Sequence, residues 1–404
     1  MFGECHRRKF GCGQVIFFDE ALKRNLLYFC PAVDGGIADY GRAQAQALVQ
    51  AGVEVFLVTT PRFKPRPDDG YQWRPTLLEK PVIAKDPLMR VRSRMRTANQ
   101  ILSHLRDLVA AMTETNCSHV LLSAYAEYLA PLWAPSLRRL ARNGKIFGAI
   151  VHDPVRHAVI GPQWWHRWSM AEGYSFLREA FVHEPVVLDT VRPQPQLRTT
   201  VIPHGIFAVT AATKSPENKR RELNLPLDAK VLLSFGHVKD YKNLDLAIRA
   251  LAQLPDFHLV VAGSPALARE KPVKFYQDLA FKIGVAERCR WCVQHIPENE
   301  VGDFFGLADL VLLTYSRAFR SASGVLNVAA AYRKPCIASS GESNLHTVIK
   351  NYGLGVWVEP DSETTLIAGI REWQQHPLNP AWQRYEQENS WAKNAEIVIR
   401  CMFQ

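Results

Sequence analysis

The chain has no run of about 18 uninterrupted apolar residues, so no segment reads as a bilayer-spanning helix. Val120 to Pro135 comes nearest, and Glu127 breaks it. No secretory leader is evident either. The start is basic, but its apolar cluster, Val15 to Phe18, runs straight into Asp19-Glu20, and residues 1–25 read as an extension or an early start. A G-x-G-x-x-G fingerprint is missing, as are RNP, KH, zinc-finger and helix-turn-helix patterns, so no nucleic-acid partner is expected. Cysteine is present without a framework: the eight residues are scattered, and Cys289-Arg-Trp-Cys292 is a lone pair with no second pair or histidine cluster beside it. Such thiols are expected to be reduced and packed, as in a cytoplasmic protein, with no metal site.

What is present fits a folded chain with room for two domains: 404 residues, 47% hydrophobic and 22% charged. The net charge of +10 is unevenly placed. Residues 1–205 hold 26 Lys and Arg against 18 Asp and Glu, whereas residues 206–404 hold 23 against 21. Arg90, Arg92, Arg94 and Arg96, with Arg62, Lys64 and Arg66, concentrate the surplus. A positive face of this kind suits a phosphorylated partner or an anionic membrane surface, and a plainly solvated face reads equally well.

The most specific stretch is Val231 to Gly263. Val231 to Phe235 is a short apolar run, Leu244, Ala247, Ile248 and Leu251 recur at helical spacing, and His258 to Ala262 is apolar again, which predicts a β-loop-α-β unit. Its loop, Gly236 to Asn243, carries His237, Lys239 and Lys242 into a helix N-terminus. Unpaired backbone N–H groups and the positive end of the helix dipole gather there, so a lysine is either simply solvated or shares the place with an anion.

The same rhythm begins at Leu26 to Cys30. There Gly35-Gly36 precedes a helix and lets a ligand approach the backbone. Thr60 to Lys85 reads as a long excursion beside the sheet, and Ala98 to Met112 as a helix. Lys145 to Val151 is a buried strand ending in His152-Asp153-Pro154, at the carboxyl edge where open α/β sheets bind ligands. His152 either binds a substrate hydroxyl or caps the strand end before proline. Trp164, Trp165 and Trp168 follow, and two of the three are expected to pack.

Strands at 179–183 and 199–202 close the first half, and the polar run Thr213 to Glu222 reads as a linker. Beyond the organising unit we expect helix 273–283, strand 290–294, helix 299–307, strand 310–314, a helix to Tyr332, strand 336–339, strand 355–358, helix 363–374 and one last helix from about Pro380. Ser321, Ser323, Gly324 and Val325 open the helix that reaches Tyr332. Ser321, Ser323 and Gly324 are good N-cap residues, and with Arg320 they also form an anion cradle on the same sheet edge as Lys242.

From Leu26 onward the chain resembles the GT-B glycosyltransferases of retaining family 4, glycosyl transferase group 1. Gly35-Gly36-Ile37-Ala38 is similar to that family's first glycine loop, and Val201-Ile-Pro-His-Gly-Ile206 to its interdomain turn, with histidine in place of asparagine. Phe235-Gly236-His237 through Lys242-Asn243 resembles its donor-diphosphate motif, with His237 where an arginine is usual. Asp309 to Ser339 resembles its donor-sugar segment, yet Arg320 and Val328 stand where the family places two glutamates, and no acid lies between Asp309 and Glu342.

The resemblance implies an α/β chain of two doubly wound Rossmann-like domains facing a central cleft. The acceptor domain would be residues 26–205, the linker 206–228, the nucleotide-sugar domain 229–378, and a helix at 379–404 would pack back on the first domain. It implies a hexose moved with retention from a nucleotide-diphosphate sugar to a glycan or lipid-linked glycan, as in polysaccharide synthesis, with no cofactor. Lys242, His152 and Arg320 would be catalytic. Gly35, Gly36, Gly236, His237, Lys242, Ser321, Ser323, Gly324 and Val325 would hold the donor. The sequence has no D-x-D triplet, so side chains rather than a metal are expected to neutralise the diphosphate. The missing glutamates also admit a catalytically silent sugar-nucleotide or phosphoglycan binder; an epimerase of the same fold is the enzymatic alternative, and it normally needs acid-base carboxylates of which this chain offers few. Beside a plainly solvated face, contact of the basic first half with the inner face of an anionic membrane stays open.

Overall fold

Leu26, Leu27, Tyr28 and Phe29 bury on both sides, as residues of a central parallel strand must. The computed structural model describes residues 24–33, 35–79, 87–152, 154, 161–207, 209, 211–264, 270–320 and 322–404. The first half runs β1 (Asn25–Phe29), α1 (Gly36–Gln50), β2 (Glu54–Val58), β3 (Gln72–Arg74), α2 (Pro87–Glu114), β4 (His119–Leu122), α3 (Ala130–Arg142), β5 (Ile146–Ile150), α4 (Gln163–Tyr174), β6 (Glu179–Val182) and β7 (Arg198–Val201). The second runs α5 (Pro216–Glu222), β8 (Lys230–Phe235), α6 (Leu244–Ala250), β9 (Phe257–Ala262), α7 (Val273–Lys282), β10 (Cys289–Cys292), α8 (Glu298–Leu307), β11 (Leu310–Thr314), α9 (Gly324–Ala331), β12 (Cys336–Ser339), α10 (Leu345–Tyr352), β13 (Gly355–Trp357), α11 (Glu363–Gln375), α12 (Trp382–Glu388) and α13 (Trp391–Phe403).

The strands form a 7-stranded sheet in the order β3-β2-β1-β4-β5-β6-β7 and a 6-stranded sheet in the order β10-β9-β8-β11-β12-β13. Every pair is parallel. In each sheet the winding reverses once, between β1 and β4 and between β8 and β11. Loops leaving such a pair diverge to opposite faces and open a crevice at the carboxyl edge.

Each sheet has an apolar layer on both faces. Cys289 belongs to one layer of the second sheet and Cys292 packs against the other. Three residues apart on a strand, the two thiols face opposite ways and cannot share a metal. Both are free.

One layer of the first sheet is finished by the end of the chain. Ala395, Val398 and Met402 of α13 are fully buried there, and Met402 and Val398 each gain roughly 1.5–3 kcal/mol by burial. A Cβ added to Gly148 of β5 would lie 2.6 Å from Met402 Sδ, so a side chain there would push Met402 out of its place. Arg178 donates to the carbonyls of Cys401 and Met402 at 2.6 and 2.7 Å, satisfying the helix C-terminus.

Four expectations are corrected. The excursion at 60–85 contains an edge strand, β3, paired with β2. The last helix is two, because Ser390 starts afresh as the N-cap of α13, its hydroxyl accepting from Lys393 N–H. The stretch read as a linker forms α5, and buried Asp303 of α8 accepts from Thr213 and Lys214 N–H, pinning it to the second sheet. Of the three tryptophans, one packs rather than two. Trp165 donates to Tyr128 O at 2.9 Å, while Trp164 and Trp168 are 65% and 40% exposed.

Candidate active site

The loops after β8 and β11, the two strands at the second sheet's reversal, carry the sequence-predicted donor residues. Gly236 turns the first loop with φ of 87°, a left-handed value natural only to glycine. The chain then tightens into a single turn at Asp240–Lys242 and enters α6 through Asn243, also left-handed. That path folds Lys242 back so that its Nζ donates to Phe235 O at 2.6 Å. A Cβ on Gly236 would stand 3.3 Å from Lys242 Nζ and 3.7 Å from Val325 Cγ2, so the ammonium and the first turn of α9 flank one glycine.

The two loops are zipped together. Thr314 Oγ1 donates to Lys242 O at 3.0 Å, and Ser316 N–H to Tyr241 O at 2.7 Å. Tyr315 stacks on Phe319 at 4.1 Å, and Phe319 lies 5.2 Å from Tyr241. Asp361 closes the frame by accepting from Asn243 Nδ2 and Arg317 N–H, each at 2.9 Å.

Ser323 is committed to the scaffold. Its hydroxyl accepts from Leu326 N–H at 3.2 Å as the N-cap of α9 and pairs with Tyr315 OH at 2.7 Å. At the mouth of this helix the remaining backbone N–H groups, at Gly324 and Val325, are the ones left for an anion. Arg320 is exposed on the same loop, and Val328 packs into the core from α9. Ser321 lies outside the described residues.

Electrostatically, these loops gather basic side chains: His237, Lys239, Lys242 and Arg320. Burial first, and Lys239 second, pull the Lys242 ammonium from 10.5 down to about 7. His237 is exposed, and its pKa is lowered by partial desolvation, then by Lys239 and Lys242. An anion between Lys242 and α9 would reverse the cost by restoring a partner to the charged amine.

The first sheet presents three histidines from adjacent strands. His152 follows β5, His183 follows β6 and His204 follows β7. Their rings surround Tyr40 of α1 at 4.9, 5.2 and 5.2 Å, and His183 lies 5.4 Å from His152 and 4.9 Å from His204. Only His152 was anticipated. One histidine shortly after each of three consecutive apolar runs was the available signal, and it becomes meaningful once those strands are known to be neighbours.

Gly35, at φ 76°, and Gly36 open α1 four residues before Tyr40, with nothing within 4 Å of an added Cβ on either. Behind Tyr40 lies a buried polar network. Asn394 Nδ2 donates to Tyr40 OH at 2.9 Å and to Pro203 O at 2.7 Å, Gln44 Nε2 donates to Asn394 Oδ1 at 2.7 Å, and Tyr28 OH donates to Gln44 Oε1 at 2.7 Å. The halves also touch directly, with Asn344 N–H donating to buried Glu184 at 2.7 Å and Arg66 pairing with Glu298.

With this geometry in hand, the likenesses to known proteins are informative. Residues 215–397 match the family model of the glycosyl transferases group 1. Relatives include the D-inositol 3-phosphate glycosyltransferases of Corynebacterium efficiens, 26% identical over 187 residues (42% of this chain, 43% of that protein), and of Thermobispora bispora, 27% over 190 residues (44% and 42%). The chain spans less than half the length of these curated relatives. Among solved structures, sucrose-phosphate synthase of Thermosynechococcus elongatus superposes with a TM-score of 0.62 at 17% identity over 95% of each chain. Anabaena HepE, solved with UDP and glucose, does so at 0.59 and 14% identity over 94% of this chain and 96% of that one. Residues 215–397 thus resemble the glycosyl transferases group 1, in a chain whose two parallel sheets form the GT-B fold.

Proposed function

We propose that this protein transfers a hexose from a nucleotide-diphosphate sugar to a hydroxyl of a glycan or lipid-linked glycan, with retention at the anomeric carbon and without a metal. The observation that carries the reading is the meeting of Lys242 Nζ and the first turn of α9 on either side of Gly236, at the point where the second sheet reverses its winding. The names of the relatives and the UDP and glucose bound to HepE support it.

In the reaction the bond from the anomeric carbon to the diphosphate oxygen breaks and the acceptor oxygen bonds to that carbon. The acceptor proton leaves with the diphosphate or to solvent. Negative charge grows on the departing diphosphate, where the Lys242 ammonium and the N–H groups of Gly324 and Val325 would hold it. Preorganised donors of this kind contribute about 3–4 kcal/mol each. Arg320 and His237 would add charge and hydrogen bonds from the rim, and His152 would hold a sugar hydroxyl from the opposite sheet.

Incubation with a panel of nucleotide sugars and glycan-lipid acceptors tests the proposal. Acceptor-dependent release of nucleotide diphosphate, insensitive to EDTA and at least about a hundredfold slower in Lys242→Ala, is expected. Near-normal transfer by that variant refutes the assignment. A second reading, a silent sugar-nucleotide binder, is favoured by Arg320 and buried-side Val328 where acids are usual; tight donor binding with no turnover would establish it. The exposed indoles of Trp164 and Trp168 on a basic half also suit an anionic membrane at the cytoplasmic face. Co-sedimentation with phosphatidylserine vesicles, absent for the double alanine variant, is the expected result.

A further inference from the structure

Burying a histidine costs more than burying a phenylalanine unless its nitrogens are used. His183 is enclosed by Tyr40, His152 and His204, and its Nδ1 meets Ile202 O at 3.4 Å. A carbonyl accepts only, so Nδ1 bears the proton and the neutral ring leaves Nε2 as an acceptor. Among the described residues no group reaches that buried Nε2. The neighbouring strand on the other side, β5, delivers His152, whose ring centroid is 5.4 Å away. Five-membered rings at that separation can bring facing nitrogens to about 3 Å, which is hydrogen-bond distance.

We infer that His183 is a positioning residue for His152: when the donor hexose enters the cleft, His183 Nε2 accepts a ring N–H of His152, and the other His152 nitrogen is thereby presented as an acceptor to a hexose hydroxyl. Imidazole chains set tautomers in this way wherever one ring nitrogen is fixed by a carbonyl. Here the chain runs from the Ile202 carbonyl through His183 to His152, so β7 fixes the tautomer used at β5. Burial, and then the neighbouring His204 and His152, hold the pKa of His183 well below the usual imidazole value, so the acceptor persists at neutral pH. His204 is held at about 4 by the same burial. Tyr40 stands edge-on to His152 at 87° and keeps the ring from swinging away.

The inference rests on the donor reading above, and its test separates the two. Affinities of the full chain and of His183→Gln and His183→Phe are measured by calorimetry for UDP, ADP, GDP and dTDP, and for the glucosyl ester of each. The bare nucleotide is held by the second sheet, so its affinity should be the same in all three proteins. The gain in affinity on adding glucose should fall about tenfold in His183→Phe, which keeps the ring shape without a nitrogen, and be largely restored in His183→Gln, whose amide oxygen can accept. In ¹⁵N-histidine spectra of the wild type, the glucosyl ester but not the bare nucleotide should shift the Nε2 signal of His183. An undiminished glucose gain in His183→Phe, with nucleotide affinity intact, overturns the role of His183 and leaves the donor reading standing. If no nucleotide binds the wild type, the donor reading fails and this inference fails with it.

Discussion

Donor binding should take up a proton. Lys242 is held at about 7 by burial and by Lys239, so near neutral pH about half the molecules carry an uncharged amine. In an intact sugar nucleotide both phosphates are diesters with no protonation near pH 7, so any proton change on binding belongs to the protein. If the bound diphosphate requires the ammonium, uptake should be about half a proton at pH 7 and about nine tenths at pH 8. Affinity should weaken about fivefold from pH 7 to 8, then about tenfold per further pH unit, and strengthen no more than about twofold below pH 7. Calorimetry with a binding sugar nucleotide, in HEPES and in Tris, reads the uptake from the difference in apparent enthalpy. Buffer-independent enthalpies together with a flat affinity from pH 6 to 9 would refute the reasoning. The same linkage has a stability counterpart. Between about 7 and 10.5 the unfolded chain keeps a proton that the folded chain has lost, so stability rises with pH across that window, and burial of this amine costs at most about 5 kcal/mol at pH 7. Lys242→Met should therefore raise stability at pH 7, by roughly 2–4 kcal/mol in denaturant titrations, while abolishing the proton-linked binding.

Three further outcomes follow from the structure. Gly236→Ala should destabilise by about 1–2 kcal/mol, because φ of 87° disfavours a side chain, and should weaken donor binding further, because the new methyl displaces Lys242 Nζ; a variant with wild-type affinity would contradict the placement of the lysine. Asn394→Leu leaves Pro203 O without its donor and reduces Tyr40 OH and Gln44 Nε2 to their 3.3 Å contact with each other, at a cost of about 2–4 kcal/mol measured by chemical unfolding. Acid should unfold the chain partly through His204, whose pKa is about 4 folded against 6.5 free. The unfolded chain gains the proton first, so stability falls as pH drops from about 6.5 to 4, by up to about 3 kcal/mol, and His204→Gln should flatten that slope in pH-dependent melts.

The alternation of apolar runs with helical spacing was enough to place most strands of both sheets within a residue or two, because a central parallel strand buries both faces and must be apolar throughout. Gly35 and Gly236, both with positive φ, the Ser323 cap and the loop lysine were legible for the same reason: each answers a local requirement of backbone or helix end. Edge strand β3 escaped, since an edge needs only one buried face and Gln72-Trp-Arg74 carries little apolar signal. The division of the last helix also escaped, because Trp382 and Trp391 read as one periodic stretch until Ser390 is seen to cap.

What the residues alone determined, then, is two runs of β-α units and a cationic loop at a helix N-terminus, for these depend on neighbours a few positions apart. What tertiary structure decided depends on separations of tens to hundreds of residues. Lys242 and Val325 come together beside Gly236, three strand ends gather their histidines around Tyr40, and Asn394 reaches back to Gln44 because α13 completes the core of the first sheet. Burial then set the charge state of Lys242, which cannot be read from the chain because desolvation is a property of the fold and not of the side chain.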